Sequence, residues 1–112
     1  MEELSVINVT YEIYKKLIEL NTATDKRYRH TLTEPLVGSC KKTLEKLILA
    51  KHAPKTLKLT YLIGADAAAE LAAMQLRMSL ELKLANETNI LKIQARLADV
   101  RRQIGGWRKS LS

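Results

Sequence analysis

Phenylalanine is absent from the 112 residues, tryptophan occurs once, and aromatics make up only 4% of the chain. Stacking platforms for single-stranded bases are therefore sparse, and sequence-specific base reading is not expected. Leu, Ile and Ala must build the core instead. Cysteine is limited to Cys40, which excludes an internal disulfide framework and fits a reducing compartment. There are only two prolines and four glycines, and Val and Thr are scattered rather than alternating, so the expected class is all-α. No apolar run approaches the ~20 residues that span a bilayer. The start, MEELSVINVT, carries acids where a secretory signal would carry bases. The expectation is one domain over 1–112, in the cytoplasm and without a membrane partner, large enough to bury a core unaided.

What is abundant is positive charge, and it is uneven. The formal net charge is +7. Residues 1–25 contribute −3, residues 26–58 contribute +7, residues 59–85 contribute −1, and residues 86–112 contribute +4. Such asymmetry points to a polyanion or an acidic protein partner.

Helical spacing organises the chain into four segments. Helix 1 is expected over 6–23, with Ile7, Tyr11, Tyr14, Leu17 and Ile18 on one face. Helix 2 is expected over 25–52, with Tyr28, Leu32, Leu36, Cys40, Leu44 and Leu47 as its seam. Pro35 should kink it or delay its start to Thr31–Thr33, and Pro54 should stop it. Helix 3 is expected over 55–84, roughly 45 Å at ~1.5 Å per residue. One stripe reads Leu59, Leu62, Ala65, Ala69, Ala72, Leu76 and Leu80; a second reads Leu57, Tyr61, Ala68, Leu71, Met78 and Leu82. A helix apolar on two faces needs cover on both, so a partner should take one of them. Helix 4 is expected over 87–111, where Ile90, Ile93, Leu97, Val100, Ile104, Trp107 and Leu111 alternate spacings of three and four. Short connections make this an up-down-up-down antiparallel four-helix bundle.

Catalytic and metal-binding patterns are missing. His30 and His52 lie apart, Cys40 sits on an apolar seam where a free cysteine serves as a small hydrophobe, and one cysteine does not complete a zinc site. There is no Glu-x-x-His pair, glycine-rich phosphate loop or nucleophile triad. No enzyme activity, metal, cofactor or small-molecule substrate is expected. Asp66, within LIGADAAAE, has two open readings: an exposed acid on a narrow polar strip, or a buried or interfacial carboxylate that must then pair with an arginine. Arg77, eleven residues on, is too far along the same helix to be that partner. The cations of helix 2 and its lead-in are Lys26, Arg27, Arg29, Lys41, Lys42, Lys46 and Lys51. Those of helix 4 are Lys92, Arg96, Arg101, Arg102, Arg108 and Lys109. All point outward by their register, as a solvated face or as a surface for phosphate contact without base reading.

The closing stretch, VRRQIGGWRKSLS, puts two glycines beside the only tryptophan. Two glycines in a helix interior cost roughly 1–2 kcal/mol relative to alanine. Either Gly105 and Gly106 permit tight packing, within the bundle or between subunits, while Trp107 anchors the end, or Gly106 simply caps the helix.

GADAAAELAAMQLRM followed by LADVRRQIGGWRKSL resembles the accessory variability determinant (Avd) proteins of diversity-generating retroelements. These lie within a wider group of bacterial four-helix-bundle proteins that includes those of 23S rRNA intervening sequences. The markers are Ala65-Asp66 with Arg77 at +11, and Gly105-Gly106-Trp107; Cys40 with LEKLILA adds weaker agreement. The resemblance implies a basic homopentameric barrel that binds a reverse transcriptase and nucleic acid, template RNA and cDNA, in support of mutagenic cDNA synthesis. The polymerase chemistry would belong to the transcriptase. Beyond Leu111 there is almost no tail, so a function carried by a longer basic tail is not expected. Candidate contacts for nucleic acid or transcriptase are Arg27, Arg29, Lys41, Lys42, Lys46, Arg77, Arg96, Arg101, Arg102, Arg108 and Lys109. Candidate packing or subunit-interface residues are Asp66, Ala69, Ala72, Gly105, Gly106 and Trp107. The alternative is a general RNA-associated bundle of the intervening-sequence type, and a third class is a module for an acidic protein.

Overall fold

Four helices make up the computed structural model, which describes residues 2–112, with side chains from residue 5 onward. Helix α1 is Glu2–Ala23, four residues longer at its start than the spacing suggested. Helix α2 is continuous but built of three pieces: α-helical Lys26–Tyr28, a π-helical turn Arg29–Thr33, and α-helical Glu34–His52. Helix α3 is Lys55–Glu81 and α4 is Glu87–Ser110. There is no strand among the described residues.

Each boundary has a local cause. At the end of α1 the last carbonyls lack helical partners. Arg29 supplies them, donating from Nε to Thr24 O at 2.7 Å and from Nη2 to Thr22 O at 2.8 Å. Asp25 then caps α2, its Oδ1 accepting from Arg27 N at 2.9 Å. Pro35 brings no N–H and would crowd the carbonyl four residues back. The chain answers with the wider π turn, in which Glu34 N donates to Arg29 O, five residues back. The expected disturbance at Pro35 is thus a π turn just before it. Lys58 Nζ closes the far end of α2 on Ala50 O and Lys51 O, at 2.7 and 3.0 Å.

Helix α3 stops three residues before the expected 84. Lys83 has φ 56°, Leu84 N donates to Ser79 O and Lys83 N to Leu80 O, both at 3.1 Å. This is the paired-bond stop that usually carries glycine at the left-handed position. Asn86 Oδ1 accepts from Asn89 N at 3.0 Å and opens α4.

Consecutive helices pack side by side, α2 and α3 most extensively, and α1 closes the square on α4. The molecule measures 43 × 22 × 19 Å, so α3, ~40 Å at 1.5 Å per residue, runs its full length. Ala50, Ala65, Ala69 and Ala72 are fully buried, and such short side chains let helices approach closely. The α4 seam is as the spacing predicts: Ile90, Ile93, Leu97, Val100, Ile104 and Trp107 are buried, with Leu111 packed just past the helix end.

Two faces differ from the sequence reading. In α1 the core side is Val6, Thr10, Ile13 and Leu17, whereas Tyr11 and Ile18 are exposed. Thr10 can enter the core because its hydroxyl donates to Val6 O at 2.7 Å. In α3 Leu59 is exposed, while Ala68 of the supposed second stripe is buried and Tyr61 packs against the core. No helix among the described residues is long and apolar enough to cross a membrane.

Candidate nucleic-acid and partner-binding surfaces

The two cationic helices do not share a surface. Helix α2 packs on α1 and α3, and α4 packs on α3 and α1, so α2 and α4 occupy opposite corners of the square. A polyanion lying flat on one side of the bundle therefore meets either the cations of α2 or those of α4.

Several predicted contacts are engaged within the chain. Arg101 is tied to α3, with Nε donating to Asp66 Oδ1 at 3.1 Å and Nη2 to Glu70 Oε1 at 3.3 Å. Arg108 adds its Nη1 at 3.7 Å from Asp66 Oδ2. Asp66 is thus the paired carboxylate of the two readings, half-buried between α3 and α4, and its partners are two arginines of this chain. That contact with Asp66 raises the Arg101 pKa still further. Arg77 pairs with Glu81 at 3.0 Å. Arg102 pairs with Asp99, and with Gln103 Nε2 at 2.9 Å it holds the Asp99 carboxyl below its usual range. Arg27 grips Asp25 at 3.3 Å, holding that carboxyl low together with its own backbone N–H, and Arg29 is the α1 cap described above. Lys41 comes within 3.9 Å of Glu45.

The less committed cations are fewer. Lys46 lies 5.9 Å from the Tyr61 ring centre, its stem running past Gly64. Lys42, Lys92, Arg96 and Lys109 meet no carboxylate at ion-pair distance among the described residues. Exposed pairs such as Lys41–Glu45 remain available, because their attraction in water is small.

Ala69, Ala72 and Trp107 are buried in this chain's own core. Gly105 and Gly106 are exposed, and α4 continues past them to Ser110 with Leu111 as its C-cap. Gly106 therefore does not end the helix. A Cβ at Gly105 would meet nothing within 4 Å, so no contact inside the chain requires glycine there.

The outward side of α3 is apolar. Ile63, Leu71, Met74, Met78 and Leu82 are each 48–59% exposed, and their spacing of three to eight residues keeps them on one face, with Ala67 between them. Leu59 extends it toward the start of the helix. Toward the other end, Met74, Arg77, Met78, Glu81 and Leu82 outline a shallow cavity of about 330 Å³.

Compared with protein-family models, curated proteins and solved structures, the chain matches none.

Sequence reasoning missed the places of Met74 and Ile63 on the outward face. It also missed the capping roles of Arg29 and Lys58. The apolar residues of α3 suit either face by composition, and only the neighbours of α3 fix which one is covered. A capping cation has no sequence signature beyond its closeness to a helix end.

Proposed function

We propose that this chain is a non-catalytic accessory protein of a diversity-generating retroelement. It binds the element's reverse transcriptase together with template RNA and cDNA, assembles as a homopentamer, and supports mutagenic cDNA synthesis. The observation that carries a binding role is the apolar outward face of α3 on a chain of net charge +7. Contiguous apolar surface beyond a few hundred Å² is unusual on a monomer and marks an interaction site. Surplus cations on two opposite corners favour phosphate contact at whichever side stays open once α3 is covered. The family assignment itself rests on Ala65-Asp66, Arg77 and Gly105-Gly106-Trp107.

The test is a pull-down at moderate salt against the reverse transcriptase encoded beside the gene, with light scattering on the isolated protein. Stoichiometric co-elution and a mass of five times 12.7 kDa are expected. A monomer counts against the whole family. A pentamer that binds RNA but not the transcriptase moves the reading to the intervening-sequence type.

A further inference from the structure

A groove of about 440 Å³ opens where α1 ends and α4 begins. Its walls carry Lys16 from α1 and Lys92 and Arg96 from α4, and its apolar lining includes Leu20 and Ile93. We infer that this groove seats the sugar–phosphate backbone of a single strand of RNA or DNA. The inference rests on the nucleic-acid half of the proposed function and names where on the bundle that contact is made.

Charge is the first argument. Lys92 and Arg96 stand one helical turn apart, so they repel each other, and neither meets a carboxylate among the described residues. Arg101, Arg102 and Arg108, further along the same helix, are all paired. The one acid in the groove, Glu19, is only 3.9 Å from Lys16 and both are exposed, which leaves two positive charges in excess. An apolar wall beside them strengthens the field that an arriving phosphate feels.

Shape is the second argument. Neighbouring helices lie ~8–10 Å apart axis to axis, so a cleft between them admits one extended strand and excludes a duplex. Leu20 and Ile93 offer aliphatic contact to a sugar, and Asn89 on the rim brings an amide that can donate to a phosphate oxygen or accept from a hydroxyl. No aromatic lines the groove, so contact should be indifferent to base identity.

The experiment is fluorescence anisotropy with the full chain and a labelled oligouridylate of about twenty nucleotides, titrated at several salt concentrations. Lys92→Glu/Arg96→Glu is compared with Lys41→Glu/Lys42→Glu on α2, which changes the net charge equally. The neutral pair Lys92→Gln/Arg96→Gln guards against misfolding. The groove variants should weaken binding by about tenfold or more and lower the slope of log K against log salt by about 2. The α2 variant should cost about threefold or less. Equal losses from both faces, or a dominant loss from α2, would overturn the groove while leaving nucleic-acid binding intact. Uridine monophosphate binding as tightly as the oligomer would mean a nucleotide pocket, not a strand track. Absence of any RNA binding by the unaltered protein would remove the inference and the nucleic-acid part of the proposed function together.

Discussion

Cys40 shows how one residue's place in the core sets its chemistry. Its thiol is fully buried, lies 3.9 Å from Thr10 O as a weak donor, and is pushed by burial from its usual 9.0 up to about 12. The folded chain therefore keeps this proton where the unfolded chain loses it. Stability from this group is fully present below about pH 9 and falls as pH rises toward 12, by about a kcal/mol per pH unit. Urea unfolding at stepped alkaline pH should show that slope, and Cys40→Ala should remove it. Lys83 is a second such site. A lysine at φ 56° carries a strain of about 1 kcal/mol that glycine escapes. Lys83→Gly should raise the unfolding free energy by up to that amount, and an unchanged denaturation midpoint would show the strain to be offset elsewhere. The sequence placed Cys40 correctly because it continues a seam of leucines. It gave no hint of Lys83, since a left-handed stop is recognised by glycine and none stands there.

At the scale of whole helices, legibility followed how sharply apolar and polar positions separate. Helix α4 has apolar residues at strict three-four spacing with polar ones between, and its seam was read without error. Helix α1 was read about one position off, because Tyr11 and Ile18 look like core residues and Thr10 does not. Only the Thr10 bond to Val6 O reverses that ranking. Ser39, Thr43 and Ser79 enter the interior by the same device, bonding to carbonyls four residues back. The glycines allow a controlled test of whether α4 meets another chain. A Cβ at Gly38 or at Gly105 would meet nothing within 4 Å, so within the chain each change to alanine should stabilise its helix by about 1 kcal/mol. If α4 packs against a second subunit at Gly105, Gly105→Ala should lose that gain and lower the assembly mass, while Gly38→Ala keeps it. Equal gains in melting temperature and an unchanged mass would leave Gly105 without an interface role.

For the whole molecule, the decisive fact is the arrangement of faces around the square. The sequence supplied the number of helices, their order and their charges. It could not supply which helices are neighbours, and so it could not show that the cations of α2 and α4 look away from each other. Nor could it show which side of α3 is left uncovered. Met74 and Met78 stand on that side, 59% and 50% exposed. Met74→Lys/Met78→Lys should change the stability of a single chain by no more than about 0.5 kcal/mol. It should reduce the scattering mass to 12.7 kDa if the apolar face joins the subunits. Persistence of the full assembly would assign that face to another partner.

Among the four neighbouring pairs, α1 and α4 alone meet without a connecting turn. Nothing covalent holds that edge, so it is where the bundle should open first, like the fore-edge of a book whose spine is the α2–α3 hairpin. Amide protons of α1 should then exchange with solvent sooner than those buried between α2 and α3. A strand lodged across the α1–α4 edge would act as a clasp. Occupancy would be reported at a distance, as slower exchange along α1 and a higher melting temperature that rises with ligand concentration.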